Sequence, residues 1–374
     1  MTSSRWDEIV AGAMASVATA RQLRQPRDLD GGRPRTVVSE SAQPVVSFAS
    51  NDYLGLTQHP AVRAAARGAI DVYGTGSGSA RLIVGSRPVH SRLEDRVAAW
   101  RGAEAAALFT TGYAANLGVL DTLGRWASMV CSDELNHASI VDGCRLAKAP
   151  TRIYRHCDFA EVDTLLSGSQ GRGVVVSDSV FSMDGDLAPI AELSAACAAH
   201  GALLVLDDAH LVLDHPDVLD PACRVLRIGT LSKAVGALGG FVTGPRPFID
   251  LLVNAARTYI FTTATSPAAA AAATAAIDVI DSAEGDTLCA RLRINIDRVR
   301  PGHPSPIIAI IVGAEDEAMA ASEALARQGI LVPAIRPPTV PPGTSRLRVT
   351  VSAAHADADL DRLVDALAQA GINA

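Results

Sequence analysis

Residues 203–210 read LLVLDDAH, an uninterrupted apolar run that ends abruptly in two aspartates and a histidine. A short apolar run without alternation is the pattern of a strand buried on both faces, as parallel strands covered by helices are. Polar groups at its end then emerge at the carboxyl edge of a sheet, where ligands of open α/β sheets bind. Similar runs occur at Ala105–Phe109, Ser128–Cys131 and Gly173–Val176, and the run holding LLVL spans Ala202–Leu206. Amphipathic stretches fit between them, at Ala61–Val72, Ala114–Leu123 and Ile190–His200. Strand and helix in alternation predict a doubly wound α/β unit with a mostly parallel sheet.

Outward from this core the texture changes twice. Residues 1–44 carry a short helical pattern and the connector RQPRDLDGGRPR at 24–35, an N-terminal arm. Residues 45–266 form the large unit. Residues 267–374 read as a smaller α+β domain: an alanine-rich helix, a pattern at Arg291–Arg300, strands at Ile307–Val312, Ile330–Val332 and Arg346–Val351, and helices at Glu317–Gln328 and from Ala358.

Bulk properties exclude several classes of function. The net charge is −7 over 374 residues, with no block of five or more like charges. Nucleic-acid binding needs a basic face, so phosphate-backbone recognition is not expected. The start, MTSSRWDEIV, lacks the basic and apolar regions of a secretion signal. The most apolar stretch, Pro267–Ile280, is too short to cross a bilayer. A cytoplasmic protein is the expectation. The six cysteines show no CxxC pair and no neighbouring histidine cluster, so neither a disulfide scaffold nor a metal site is expected.

Five segments carry chemistry. Asp207, at the end of the LLVL strand, is placed to pair with the protonated nitrogen of a pyridine cofactor such as pyridoxal 5′-phosphate (PLP); an acidic turn is the plain alternative. One strand later comes RIGTLSKAVGALGG, residues 227–240. Lys233, if buried among small residues, loses its charge and becomes a nucleophile able to bond a cofactor aldehyde. Thr230 and Ser232 add hydroxyls suited to a phosphate. In LFTTGYAANLG, residues 108–118, the amides of Gly112 and Tyr113 open a helix, a natural anion site. His137, in DELNHASIVDG (133–143), is placed to stack on a flat ring, and Ser182, in SDSVFSMDGDLAPI (177–190), to hydrogen-bond it. GTGSGS at 74–79 has Ser79 where a dinucleotide fingerprint needs glycine and follows a helix rather than a strand; it reads as a flexible, substrate-facing loop.

Together these segments resemble the α-oxoamine synthases, a family of PLP-dependent transferases of fold type I. The resemblance runs from ASNDYLGL (49–56) through RLIVG (81–85), TTGYAAN, NHAS, VFSMDGD, DDAH and GTLSKA to the last helix. The stretch IRPPTVPPGTSRLRVT, 335–350, is similar to the signature of the branch that serves biotin biosynthesis. The resemblance implies a catalytic set of Lys233, which bonds the cofactor, Asp207, His210 near the phenolic oxygen, and His137. It implies cofactor contacts at Gly112, Tyr113, Ser182 and Thr230, with Thr262 or Thr263 serving a neighbouring subunit's phosphate in a homodimer. It implies substrate contacts at Arg24, Asn51, Arg336 and Thr339, Arg336 holding the amino-acid carboxylate. The implied substrates are L-alanine and an acyl thioester, pimeloyl-CoA or pimeloyl-carrier protein. Family relatives using glycine or serine with other acyl-CoAs remain open. So does a PLP-binding paralogue with impaired catalysis, because the family's glycine-rich loop after DDAH is replaced by LVLDHPDVLDPACRVLRIG (211–229), without glycine until Gly229.

Overall fold

Strands account for the architecture, and most of them contain an apolar run. In chain order they are β1 (Arg35–Val38), β2 (Gln43–Ser47), β3 (Ala105–Phe109), β4 (Met129–Asp133), β5 (Thr151–Tyr154), β6 (Gly173–Asp178), β7 (Leu203–Asp207), β8 (Arg224–Thr230), β9 (Gly240–Gly244), β10 (Ile307–Gly313), β11 (Ile330–Leu331), β12 (Ala334–Ile335) and β13 (Ser345–Thr350). The computed structural model describes residues 4–19, 22–213 and 218–372. The centre of the segment that replaces the glycine-rich loop, 214–217, lies outside the described residues.

Seven strands form the central sheet in the order β3-β9-β8-β7-β6-β4-β5. Neighbours from β8 to β5 run parallel, while β9 pairs antiparallel with both β3 and β8. This is the mostly parallel, helix-covered sheet that the resemblance to fold type I transferases implies. The period-two alternation of strand side chains divides the interior in two. Val130, Val174, Val176 and Val205 face the helices Gly112–Leu123 and Ala138–Leu146, while Cys131, Val175, Leu204 and Leu206 face the helices Phe159–Leu166 and Ile190–Ala199. Each of these side chains is at most 4% exposed, and each contributes about 1.5–3 kcal/mol of transfer free energy at most. Parity also fixes the acids at the strand ends: Asp178 and Asp207 continue the face of Val176 and Val205, and Asp133 continues that of Cys131.

Two smaller sheets flank this core. β10, β13 and β12 form an antiparallel sheet, expected from the C-terminal texture. β1 and β2 form a hairpin that β11 joins in parallel, Val46 opposite Ile330. The arm and the small domain therefore share one sheet, and residue 44 lies within β2. The alanine-rich helix Pro267–Ile280 buries Ala270, Ala273 and Ala276 completely; its small side chains let it lie close against the helix Pro60–Tyr73. The helix Arg5–Thr19 buries none of its residues against the rest of the chain. No described helix is long and apolar enough to cross a membrane. All six cysteines are free thiols.

The GTGSGS segment departs from the expected flexible loop. Ser77 is 3% exposed and donates to the Thr265 carbonyl at 2.7 Å, and the Ser79 carbonyl accepts from the Ala264 amide at 3.0 Å. Its glycines serve the turn, with φ of 79° at Gly74 and 70° at Gly78.

Candidate active site

The site lies at the carboxyl ends of β4, β6, β7 and β8, where the parallel arrangement gathers the strand-end groups. Lys233 follows β8 in a turn closed on itself: Leu231 donates to the Gly239 carbonyl at 3.0 Å and Gly236 to the Lys233 carbonyl at 2.9 Å. β8 reaches this turn through Gly229, where a β-carbon would stand 2.2 Å from the Phe241 ring. The Lys233 Nζ lies 2.8 Å from Nε2 of His210. Burial lowers its pKa, and the charges of Asp207 and Asp178 only partly restore it. Burial also holds His210 well below its ordinary value, with Lys233 adding to the effect. With the amine donating to Nε2, the imidazole proton sits on Nδ1 and goes to the Tyr53 oxygen, 2.6 Å away. The Tyr53 hydroxyl donates to Asn51 Oδ1 at 3.2 Å, which also accepts from both terminal nitrogens of Arg348 at 3.3 Å.

Asp207, one strand away, is 4% exposed. Its carboxylate accepts from Asn116 Nδ2 at 2.6 Å and from the Ala209 amide at 3.0 Å, both neutral donors. Burial raises its pKa; the Asn116 bond and the Lys233 charge oppose this without cancelling it. Asp178, beside it on β6, is raised further by burial and by Asp207 itself. Asp178 nevertheless holds the backbone in place, accepting from the His137 amide at 2.8 Å. His137 caps the helix Ala138–Leu146, its ring open to the cleft and edge-on to Tyr113 at 6.4 Å. Loss of hydration lowers its pKa, Asp207 countering and Lys233 reinforcing.

The helix Gly112–Leu123 begins beside Thr230. Thr111 takes the Ala114 amide at 3.0 Å, and the first-turn amides of Gly112 and Tyr113 have no carbonyl one turn back to meet. A β-carbon at Gly112 would touch the Thr230 side chain at 3.4 Å, and at Gly240 it would lie 2.5 Å from the Gly112 nitrogen. Thr230 and Ser232 hydroxyls lie 2.7 Å apart at the same place. Two amides at a helix start and two hydroxyls make a cradle for a phosphate. The Tyr113 hydroxyl is committed elsewhere, to Asp142.

These residues fit a flat pyridine carrying a phosphate. A buried carboxylate lacking a cationic hydrogen-bond partner suits a ring N–H, and a desolvated amine suits an aldehyde carbon. Ser182, 9% exposed, is held by its carbonyl accepting Arg348 Nε at 2.6 Å. The loop bearing it is anchored by His156, clamped between Asp133 (3.0 Å) and Asp186 (2.7 Å). Burial alone would depress His156, but its bonds to Asp133 and Asp186 push it up to about 12.

The structure thus brings together Asn51, Gly112, His137, Ser182, Asp207, His210, Thr230 and Lys233. Arg24, Thr262, Thr263 and Thr339 make no hydrogen bond into this network among the described residues; Thr263 pairs with Ala80, and Thr339 and Arg336 share a turn. Sequence reasoning missed Tyr53, Asn116, Ser139, Asp178 and Arg348. Arg348 is 5% exposed and, among the described residues, has no carboxylate within ion-pair distance. Its partners are the neutral oxygens of Ser182, Asn51 and Thr350.

A family model described as aminotransferase class I and II matches residues 43–367. An 8-amino-7-oxononanoate synthase of Anaeromyxobacter dehalogenans is 46% identical, over 96% of this chain and 94% of its own. One from Marinobacter nauticus is 45% identical, over 93% and 92%. This chain belongs to the 8-amino-7-oxononanoate synthase family, within the class I and II aminotransferases. Among solved structures, a serine palmitoyltransferase from S. paucimobilis with PLP and myriocin bound matches 98% of this synthase-family chain and 97% of its own, with TM-score 0.89 and 28% identity. Family membership and site geometry agree: the synthase family is PLP-dependent, and the cleft offers what PLP requires.

Proposed function

We propose that the protein catalyses the decarboxylative condensation of L-alanine with pimeloyl-CoA or pimeloyl-carrier protein, giving 8-amino-7-oxononanoate, carbon dioxide and free thiol, in biotin biosynthesis. It acts in the cytoplasm as a homodimer carrying PLP. The observation that carries this reading is the approach of Lys233, in the turn after β8, to Asp207, at the end of the neighbouring parallel β7, in one buried cleft of a chain 46% identical to a named synthase.

PLP, when bound, supplies an electron sink for the electron pair left on the amino-acid α-carbon. The protein's own groups do the rest. Asp207 keeps the ring nitrogen protonated, and the cradle of Gly112, Tyr113, Thr230 and Ser232 holds the phosphate. Lys233, its pKa lowered by burial, anchors the cofactor and then takes the α-proton; its neighbour His210, fixed by Tyr53, keeps the amine aimed. Arg348 or Arg336 holds the substrate carboxylate, and the buried, fork-shaped Arg348 already lies in the network around Asn51. His137 covers one ring face. Ser182 meets the ring oxygen, Thr339 and Arg24 meet substrate, and Thr262 or Thr263 reaches the partner subunit's phosphate.

A product assay pairing alanine, glycine and serine with acyl-CoAs of several chain lengths tests the reading. Alanine with the pimeloyl thioester should give the highest kcat/KM. Preference for serine with long acyl chains would replace it with a palmitoyltransferase-type activity, and cofactor binding without turnover of any pair would make the chain a non-catalytic paralogue.

A further inference from the structure

His137 has two ring nitrogens, and the surroundings of Nδ1 determine which of them carries the proton. The Ser139 backbone amide donates to Nδ1 at 3.2 Å, so Nδ1 presents a lone pair. The Ser139 hydroxyl lies 2.7 Å from the same nitrogen. That hydroxyl already accepts from Asn116 Nδ2 at 2.9 Å, and Asn116 Nδ2 gives its other proton to Asp207 at 2.6 Å. A carboxylate only accepts, so the direction of every bond in the chain follows from Asp207: amide to acid, amide to hydroxyl, hydroxyl to imidazole. Asn116 Oδ1 is buried without a partner among the described residues, the cost of this orientation; the opposite one would set that oxygen against the Asp207 carboxylate. The groups facing His137 are Asp207, Lys233 and the Tyr113 ring, with Asp178 bonded to its backbone amide.

We propose that Asn116 and Ser139 are positioning residues that hold His137 as the neutral tautomer protonated on Nε2, so that this wall of the cleft presents a hydrogen-bond donor rather than a cation or an acceptor. The catalytic meaning of that donor rests on the function proposed above; the tautomer does not. One amide thereby couples the acid expected at the ring nitrogen to the imidazole expected on the ring face. A change in either is felt by the other.

Nitrogen-15 NMR of the full-length protein labelled at histidine, with and without PLP, tests this. The His137 signals are assigned by their loss in His137→Gln. At neutral pH, Nδ1 should show the shift of an unprotonated ring nitrogen and Nε2 that of a protonated one. Ser139→Ala removes the hydroxyl donor, and Asn116→Ala frees that hydroxyl to turn away. Each should move the tautomer ratio about five- to tenfold toward Nδ1–H, the worth of one hydrogen bond. A protonated Nδ1 in the wild-type protein, or an unchanged ratio in both variants, overturns the proposal. The wild-type spectrum decides even if a variant does not fold. Because no substrate is needed, failure to turn over alanine would overturn the proposed reaction and leave this result standing.

Discussion

Asp207 and Asp208 are adjacent in sequence and both nearly inaccessible, at 4% and 7% exposure, yet the fold surrounds them with opposite company. Asp208 is bound by Arg101 and by Arg227 at 3.0 Å, and takes the Ser179 hydroxyl at 2.5 Å. Its charge is neutralised within the chain. Among the described residues Asp207 receives only an amide side chain and a backbone N–H, with a desolvated lysine across the cleft. Successive residues at a strand end point to different sides, so one acid meets arginines of the packing and the other meets the ligand space. The difference separates an acid that holds the fold from an acid that, under the proposed function, is kept for a cation not belonging to the chain.

Substitutions can break this contrast. The largest effect is expected at the amine that shares the cleft with Asp207. Lys233→Ala should lower turnover by about three orders of magnitude or more and abolish the visible absorbance that PLP gains on bonding a lysine; an unchanged spectrum would remove Lys233 from the site. Asp207→Asn should keep some cofactor and lower the exchange of the alanine α-proton in deuterated water on the order of a hundredfold. Exchange at the parent rate would give Asp207 another role. Asp208→Ala should do the reverse. It removes the buried carboxylate that Arg101 and Arg227 share and lowers unfolding free energy by about 3 kcal/mol, read from urea midpoints, while the folded fraction still exchanges the proton. Equal stability losses at the two positions would erase the distinction.

The smallest effect concerns pH. Burial raises the Asp207 pKa above its unfolded value, so the cofactor-free native state binds more protons than the unfolded state between the two values. Stability from this group is present below the ordinary carboxylate range and is lost as pH rises through the raised native value. Relative to wild type, cofactor-free Asp207→Asn should therefore gain stability as pH climbs from about 4 toward neutrality. A flat difference would mean that Asp207 ionises inside the cleft without penalty.

Much of this is legible in the sequence, for a physical reason. Runs such as VVV at 174–176 and LLVL at 203–206 have no polar face, so only a strand covered on both sides suits them. Groups that end such runs fall at one edge of the sheet, which is why Asp207 and Lys233 can be paired before any coordinates are known. Arg348 stays hidden because R-x-R in a strand normally marks a solvent face. Here β13 is buried along its whole length, and Arg346 and Arg348 point toward the loop 182–184, Arg346 pairing with Asp184. Asn116 and Ser139 lie near the starts of helices that the sequence does reveal, but what they do arises only when those helices are packed together. Glycine density suggests mobility in the GTGSGS segment, whereas hydrogen bonds to the segment after Thr262 hold it.

The pairing of β2 with β11 also bears on how the polypeptide is born. The hairpin of β1 and β2 leaves the ribosome early, and the edge it must share is made about 280 residues later. Until then one side of the hairpin offers bare amides and carbonyls to any passing strand. Vectorial folding can complete the seven-stranded sheet first, but closing the small domain has to await almost the whole chain. Truncation near the C-terminus should therefore harm the first fifty residues as well as the last.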